Sequence, residues 1–288
     1  MAAFFRPRTG VPDALLDFKG CTLTLAAVSC GNIGQLAIDL LLCSFVKNKA
    51  ETGIERVGTI LTRNVEPVVC RRDYGLKSFG QLSSAVEVYR YGSNVLVHQR
   101  AVVVAGRTPA YANELAKWIS SAQFASVIVL GGASAIGRND EQISNINQFR
   151  YVTGQAALDA TLQKRVDTLG IPQFEEAGEP LHLTGLLKPL IRALSTTDAG
   201  ADQASGGGDG DEPESATGGI PVLGFILFCM EGINFEHGVR MAQLFDALHG
   251  AGKDTQSAIE ASDQAAAAKW RVPPTWNMPL ARPDAAIY

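Results

Sequence analysis

The chain has 288 residues, of which 46% are hydrophobic and 19% charged, and its formal charge is −4. This length is enough for one large core or for two small ones. The acidic balance argues against a nucleic-acid partner, because that binding needs clustered Lys and Arg. Five cysteines form no Cys-x-x-Cys pair, and the longest apolar run, residues 220–230, is far shorter than the roughly 20 residues that span a bilayer. We therefore expect a cytoplasmic protein with no membrane partner.

The first predicted unit is a strand, a turn and a helix within residues 21–42. Residues 22–28 have the apolar pattern of a buried strand, and the helix begins at Ile33. This order is typical of nucleotide-binding α/β domains, whose turn needs three glycines. Only Gly31 and Gly34 are present here, and no Gly-Lys-Ser/Thr follows them. We therefore expect no cofactor at this turn.

The helix that follows is apolar on more than one face, which is more than one side of a sheet requires. Burial in a large core and an interface with a partner both explain this pattern. The apolar positions are Ile33, Leu36, Ile38, Leu40, Leu41, Leu42 and Phe45.

Further elements alternate between strands and helices, which predicts a single α/β domain over residues 1–268, folded as a three-layer α/β/α sandwich with a mixed sheet. Pro109 favours a helix start at Thr108. The predicted strands are residues 57–61, 85–89, 95–99, 126–130 and 222–230, with 102–105 as a continuation of the sheet, and the remaining helices are residues 184–194 and 235–248.

Two segments differ from this pattern. Residues 196–219 hold seven glycines, six acids and no base, which predicts a disordered acidic insertion. Residues 269–288 carry four prolines and two tryptophans, which predicts an extended C-terminal strap. We expect Trp270 and Trp276 to dock this strap onto the domain.

The glycine-rich stretch at residues 130–138 is the strongest indication of an enzyme. It resembles the cofactor-binding turn of short-chain dehydrogenases, and it keeps a nucleotide-dependent enzyme of Rossmann-like fold as the alternative hypothesis. The Tyr-x-x-x-Lys of those enzymes is missing, since Gln155 stands four residues after Tyr151. The four histidines show no metal-ligand spacing, and Asp39 is interpreted as part of a polar helix face. We therefore predict a protein without catalytic, cofactor-binding or metal-binding residues.

Residues 27–37 read Ala-Val-Ser-Cys-Gly-Asn-Ile-Gly-Gln-Leu-Ala. This stretch fits the pattern Ala-Val-Ser-x-Gly-Asn-x-Gly-Gln-Leu-Ala, in which the chain resembles the proteasome assembly chaperone 2 family. Further matches follow in the same order: residues 85–89, 127–130, 138–140 and 149–151, then Glu231-Gly232 with Asn234, and Lys269-Trp270 with Pro273 and Trp276. The resemblance covers nearly the whole chain outside residues 196–219.

This resemblance implies a non-catalytic chaperone of the cytoplasm and the nucleus. It would pair with proteasome assembly chaperone 1 and bind proteasome α subunits to promote formation of the α ring. Gly31, Asn32 and Gly34 are then structural residues of the family's signature turn. The resemblance also suggests that the C-terminal residues Ile287 and Tyr288 anchor the tail in an α-subunit pocket. Tyr288 is the last residue, whereas the tyrosine of such tails is usually the penultimate one.

Overall fold

The computed structural model describes residues 4–71, 82–144, 147–174, 185–197, 219–249 and 270–273. The strands within these residues are β1 (Phe5–Pro7), β2 (Thr22–Ala26), β3 (Glu55–Ile60), β4 (Val69–Arg71), β5 (Leu82–Ser84), β6 (Val86–Tyr91), β7 (Asn94–Gln99), β8 (Ser126–Ser134), β9 (Phe149–Thr153) and β10 (Val222–Cys229). The helices are α1 (Ile33–Lys47), α2 (Lys49–Thr52), α3 (Thr108–Ser121), α4 (Asp140–Ser144), α5 (Ala160–Leu169), α6 (Leu187–Thr197) and α7 (Phe235–His249).

Eight of these strands form one mixed sheet in the order β1-β3-β6-β7-β2-β8-β10-β9, and β4 pairs with β5 in a separate ribbon. Strands β7, β2, β8 and β10 are parallel. Strand β3 runs in the same direction, because β6 is antiparallel to both β3 and β7. Five strands therefore end at the same edge of the sheet, which we call the carboxyl edge; the opposite edge is the amino edge.

Helices cover both faces of the sheet, because its strands place apolar side chains alternately on the two sides. In β10, Ile226 and Phe228 belong to the core beneath α3 and α6. The neighbouring Phe225 and Leu227 belong to the core beneath α1, α5 and α7. The predicted three-layer α/β/α sandwich with a mixed sheet is confirmed.

Helix α1 packs against the sheet and against α7, which accounts for its apolar residues on more than one side. Ile33, Ile38, Leu40, Leu41 and Leu42 are all fully buried within the chain. Core burial therefore explains this helix, and the alternative interpretation as a partner interface is wrong for these five side chains.

Several predicted boundaries needed correction. Residues 102–105 do not continue the sheet, since only Val103 forms an isolated bridge, with Val65. Helix α6 extends to Thr197, so the first two residues assigned to the acidic insertion are helical. The rest of that insertion, residues 198–218, and strap residues 274–288 lie outside the described residues. Trp270 is buried in the core that also contains α1 and α7, as predicted for this side chain.

Candidate functional site

The signature turn lies at the carboxyl edge, where β2 passes through a 3-10 turn (Cys30–Asn32) into α1. Gly31 and Asn32 both adopt left-handed backbone conformations, with φ of 68° and 53°. A Cβ atom on Gly31 would lie 2.6 Å from Asn234 Nδ2, and one on Gly34 would lie 2.1 Å from the Leu130 carbonyl oxygen. Both glycines thus allow protein segments to approach closely, which is an architectural requirement.

Side-chain hydrogen bonds join this turn to its neighbours. Ser29 Oγ accepts a 2.8 Å hydrogen bond from the Gly132 backbone N–H and donates one to the Ala27 carbonyl. Asn234 donates through Nδ2 to the carbonyls of Met230 and Gly232, both at 3.0 Å. The connection that follows β2 is therefore bonded to β8, and the connection that follows β10 is held by bonds within itself.

Two free cysteines meet beside the same turn. The Sγ atoms of Cys30 and Cys229 are 3.6 Å apart, and Cys229 is buried. Burial, together with the hydrogen bond to Cys30, raises the pKa of the Cys229 thiol to about 12. This thiol therefore stays protonated near neutral pH and is a poor nucleophile, since the thiolate is the reactive form.

The segment after β8 is held by two arginines. The guanidinium groups of Arg138 and Arg150 lie 5.8 and 5.6 Å from the centre of the Phe228 ring. Arg138 donates to the Ala135 carbonyl and to the Gln148 side chain. Burial lowers the pKa of Arg150, whose NH1 donates to the carbonyls of Asn147 and Phe149. Both charges are thus engaged within the chain.

Helix α4 begins with a reciprocal cap. Asn139 Oδ1 accepts a 2.8 Å hydrogen bond from the Gln142 backbone N–H, and Gln142 Oε1 accepts one from the Asn139 backbone N–H. This arrangement satisfies donors at the helix start and sets the direction of the short helix. The side chain of Ile143 is exposed on it.

The glycine-rich stretch at residues 130–138 has a different structure from the predicted turn. Strand β8 continues through Gly131 and Gly132 to Ser134. A Cβ atom on Gly132 would lie 2.3 Å from the Cys30 carbonyl oxygen, so this glycine is needed for close approach of the signature turn. The predicted turn is therefore not formed at Gly131 and Gly132, and the chain leaves the strand only at the 3-10 helix Ala135–Gly137.

A polar contact that the sequence did not reveal lies inside the fold. Asp39 Oδ1 is 3.1 Å from Nε2 of the buried His98 and 3.8 Å from Arg100. Asp39 thus joins α1 to the end of β7 and is more than a polar helix face. Its partners lie some 60 residues away in the sequence, and only the packing of α1 on β7 brings them together.

The carboxyl edge also carries exposed apolar side chains. Of the ten large hydrophobic residues that are exposed in the described ranges, nine lie in connections at this edge, and Val272 is the exception. One group follows β3 and β7 or lies in the ribbon: Leu61, Val68, Val69, Leu82 and Val102. The other group follows β8 and β10: Ile136, Ile143, Met230 and Ile233. Their gathering at one edge makes this edge the candidate interaction surface.

The second group, which we call the acid-rimmed patch, is bordered by negative charge. Ile136 is 80% exposed, and the other three members are each more than half exposed. The exposed ionisable side chains around it are Asp140, Glu141, Glu231 and Glu236. This arrangement suits a protein surface with an apolar centre and basic residues around it.

The described part of the chain provides no group of three metal-ligating side chains. Among the same residues, no helix is long and apolar enough to cross a membrane. The predicted tail anchors, Ile287 and Tyr288, lie outside the described residues, as does Trp276. The functional assignment of these three residues therefore stays a prediction.

Comparison with known proteins gives consistent matches. The PAC2 family model matches residues 23–199. A Danio rerio protein named proteasome assembly chaperone 2 is 27% identical over 282 residues, covering 92% of this chain and 94% of the relative. A Nematostella vectensis protein of the same name is 30% identical over 251 residues, covering 83% of this chain and 94% of the relative.

A solved structure has a similar fold. Pyrococcus furiosus PbaA, described as an archaeal homolog of proteasome-assembly chaperone, superposes with a TM-score of 0.56 at 10% identity. The match covers 92% of this chain and 94% of PbaA. At this identity, the likeness shows the shared fold alone.

Proposed function

This chain belongs to the PAC2 family, and from that premise we propose that it is a chaperone of proteasome assembly. The observation that carries the proposal is the grouping of exposed apolar side chains at the carboxyl edge, in a chain whose relatives are named proteasome assembly chaperone 2. An assembly chaperone acts by binding other chains, and a surface with exposed apolar residues is suited to that work.

In the proposed mechanism, the chain pairs with proteasome assembly chaperone 1, and the heterodimer binds proteasome α subunits. It thereby favours formation of the α ring and covers α-subunit surfaces that would otherwise self-associate. The protein acts in the cytoplasm and in the nucleus. No bond is made or broken in this mechanism, so the energetic contribution comes from binding alone.

The geometry of the signature turn supports a non-catalytic role. In a dinucleotide-binding turn, glycines let the backbone approach a pyrophosphate. Here a Cβ on Gly31 would meet Asn234 and Cys229, and a Cβ on Gly34 would meet the Leu130 carbonyl. The close approach in this chain is made between protein segments, and it positions the connections that carry Met230 and Ile233.

We further propose that the C-terminal tail contributes to binding of α subunits. The ring of Tyr288 would fill an apolar slot between neighbouring α subunits. Deletion of residues 286–288 is then expected to weaken binding to α subunits while the complex with the partner chaperone survives. Unchanged binding to α subunits would remove the tail from the mechanism.

Purification from cells through an N-terminal tag tests the proposal as a whole. We expect recovery of one paralogous chaperone chain together with proteasome α subunits, identified by mass spectrometry. A matched measurement adds NAD or NADP to the purified chain in a calorimeter, where no heat of binding is expected. A monomer that recovers neither partner and binds a dinucleotide tightly would overturn the assignment.

A further inference from the structure

We infer that the acid-rimmed patch binds the second chaperone chain of the proposed heterodimer, and that this partner presents an apolar surface bordered by Lys and Arg. The inference rests on the proposed function and specifies which surface performs the pairing. It assigns a binding role to four side chains that make no essential contribution to the core: Ile136, Ile143, Met230 and Ile233.

The topology brings these side chains together. Strands β8 and β10 are neighbours in parallel register, with Ser134 opposite Cys229 at their carboxyl ends. Ile136 therefore lies two residues beyond the end of one strand, and Met230 lies one residue beyond the end of the other. Adjacent strands are about 4.8 Å apart, so the two connections leave the sheet side by side.

The backbone beneath the patch is already held in place. Asn234 fixes the connection of Met230 and Ile233 through two hydrogen bonds. Arg138 fixes the connection of Ile136 by donating to the Ala135 carbonyl. A partner that binds here has little backbone to order, and a preformed surface of this kind loses less conformational entropy on binding.

The charge around the patch favours a different chain over a second copy of this chain as the binding partner. The rim consists of exposed acids. Two basic side chains near it, Arg138 and Arg240, are half-buried and engaged with their own chain, Arg138 through hydrogen bonds and Arg240 over the Phe149 ring. Two copies of this chain that met patch to patch would bring their acidic rims together, which opposes a homodimer. A different chain with a basic border gains from the same rim.

The apolar character of the centre selects the partner chaperone over an α subunit. Long-lived interfaces are more apolar than those that must be released. Under the proposed function the chaperone pair forms first and then binds α subunits, so the pairing contact is the longer-standing of the two. The patch has four large apolar side chains and acids only at its border, as expected for the longer-lived contact.

The test uses the full chain co-expressed with proteasome assembly chaperone 1 of the same organism, together with purified proteasome α subunits. The double variant Ile136→Glu/Ile233→Glu places charges at the centre of the patch. We expect partner affinity to fall by about 100-fold, as for the loss of two interface hot spots. The matched control, Val272→Glu, changes an exposed apolar side chain that lies outside the carboxyl edge and should leave partner affinity unchanged.

A second variant tests the charge argument separately. Glu231→Lys/Glu236→Lys reverses two charges of the rim. Association with the partner should slow by about 10-fold at low salt, and the difference from the wild type should shrink as salt is added. Circular dichroism at the same temperature confirms that each variant is folded before binding is measured.

Each outcome decides between the alternatives. Variants that pair normally with the partner and lose α-subunit binding would show that the patch binds the client, which overturns the inference and leaves the proposed function intact. A patch variant that disrupts self-association of the isolated chain in sedimentation would assign the patch to a homodimer and also overturn it. A wild-type chain that binds neither protein would overturn the proposed function itself.

Discussion

The two edges of the central sheet differ in whether the large apolar side chains in their connections are buried or exposed. At the amino edge, Phe18, Trp118 and Phe124 form a buried aromatic cluster. The rings of Phe18 and Phe124 are stacked with centroids 5.5 Å apart, and Trp118 meets both edge-on at 5.9 and 5.3 Å. At the carboxyl edge, aliphatic side chains such as Ile136 and Ile233 are exposed.

This difference teaches where stability and binding reside in the described part of the molecule. The amino-edge connections direct their aromatic groups inward, where burial stabilises the fold. The carboxyl-edge connections are held by hydrogen bonds from polar side chains and by close packing at glycines. Several of their apolar side chains are exposed to solvent. Substitutions at the amino edge should therefore affect the free energy of unfolding, and substitutions at the carboxyl edge should divide into those that affect stability and those that affect binding.

The largest expected effect compares Phe18→Ala with Ile136→Ala. Removal of the buried Phe18 ring should lower the free energy of unfolding by about 3–5 kcal/mol, because it leaves a cavity among the rings of Trp118 and Phe124. Ile136→Ala should change it by less than about 0.5 kcal/mol, since the side chain is exposed. Urea unfolding followed by circular dichroism measures both, and equal effects would contradict the contrast between the edges.

The next comparison sets Gly34 at the carboxyl edge against Gly53 at the amino edge. Gly34→Ala should cost about 2–3 kcal/mol, because its Cβ would overlap the Leu130 carbonyl oxygen. Gly53→Ala faces open space and should cost about 1 kcal/mol from its left-handed backbone alone. The same urea titration compares the two variants, and a larger loss for Gly53→Ala would show that the signature turn tolerates side chains.

A third pair separates stability from binding. Asn234→Ala removes the donor to two carbonyls and should destabilise the fold by about 1–2 kcal/mol. Asp159→Ala removes the N-cap of α5 at the amino edge and should cost about 1 kcal/mol. Partner affinity, measured by biolayer interferometry below the unfolding temperature, should fall only for Asn234→Ala, because that variant loosens the connection of Met230 and Ile233. Equal partner affinities for the two variants would show that the hydrogen bonds of Asn234 do not support partner binding by the patch.

Long periodic segments made the layers of this fold predictable from the sequence. Their apolar residues recur at a spacing that identifies each as a strand or a helix. Examples are the strand before Ile33, the helix at Thr108, and the strand and helix within residues 222–248. Short or polar elements lacked this signal. Strand β1 has three residues, and α5 has only three buried side chains, Leu162, Val166 and Leu169, so neither was predicted.

The candidate site was less accessible to prediction than the fold. Gly131 and Gly132 look like turn residues in sequence, but they belong to a strand that the Cys30 carbonyl approaches closely. The gathering of Ile136 and Ile233 at one edge depends on β8 and β10 being parallel neighbours, and strand order does not follow from local periodicity. Long-range packing decided both features.

The smallest expected effect is a pH dependence at the amino edge, where α7 ends at His249. Burial lowers the pKa of this imidazole, whose Nδ1 lies 2.9 Å from the Phe245 carbonyl and whose ring stacks on Phe245. The unfolded chain, with an ordinary histidine pKa of about 6.5, takes up a proton at a higher pH than the native chain does. The contribution of His249 to stability is therefore full above that pH and is lost as the pH falls through the lower native pKa.

Replacing this histidine with an uncharged donor isolates its contribution. Between pH 7.5 and 5.5 the free energy of unfolding of the wild type should fall by up to about 1 kcal/mol more than that of His249→Gln, which keeps a donor and has no charge to gain. Urea titrations of both proteins across this range measure the difference. Parallel pH profiles would show that His249 is protonated equally in the native and unfolded chains.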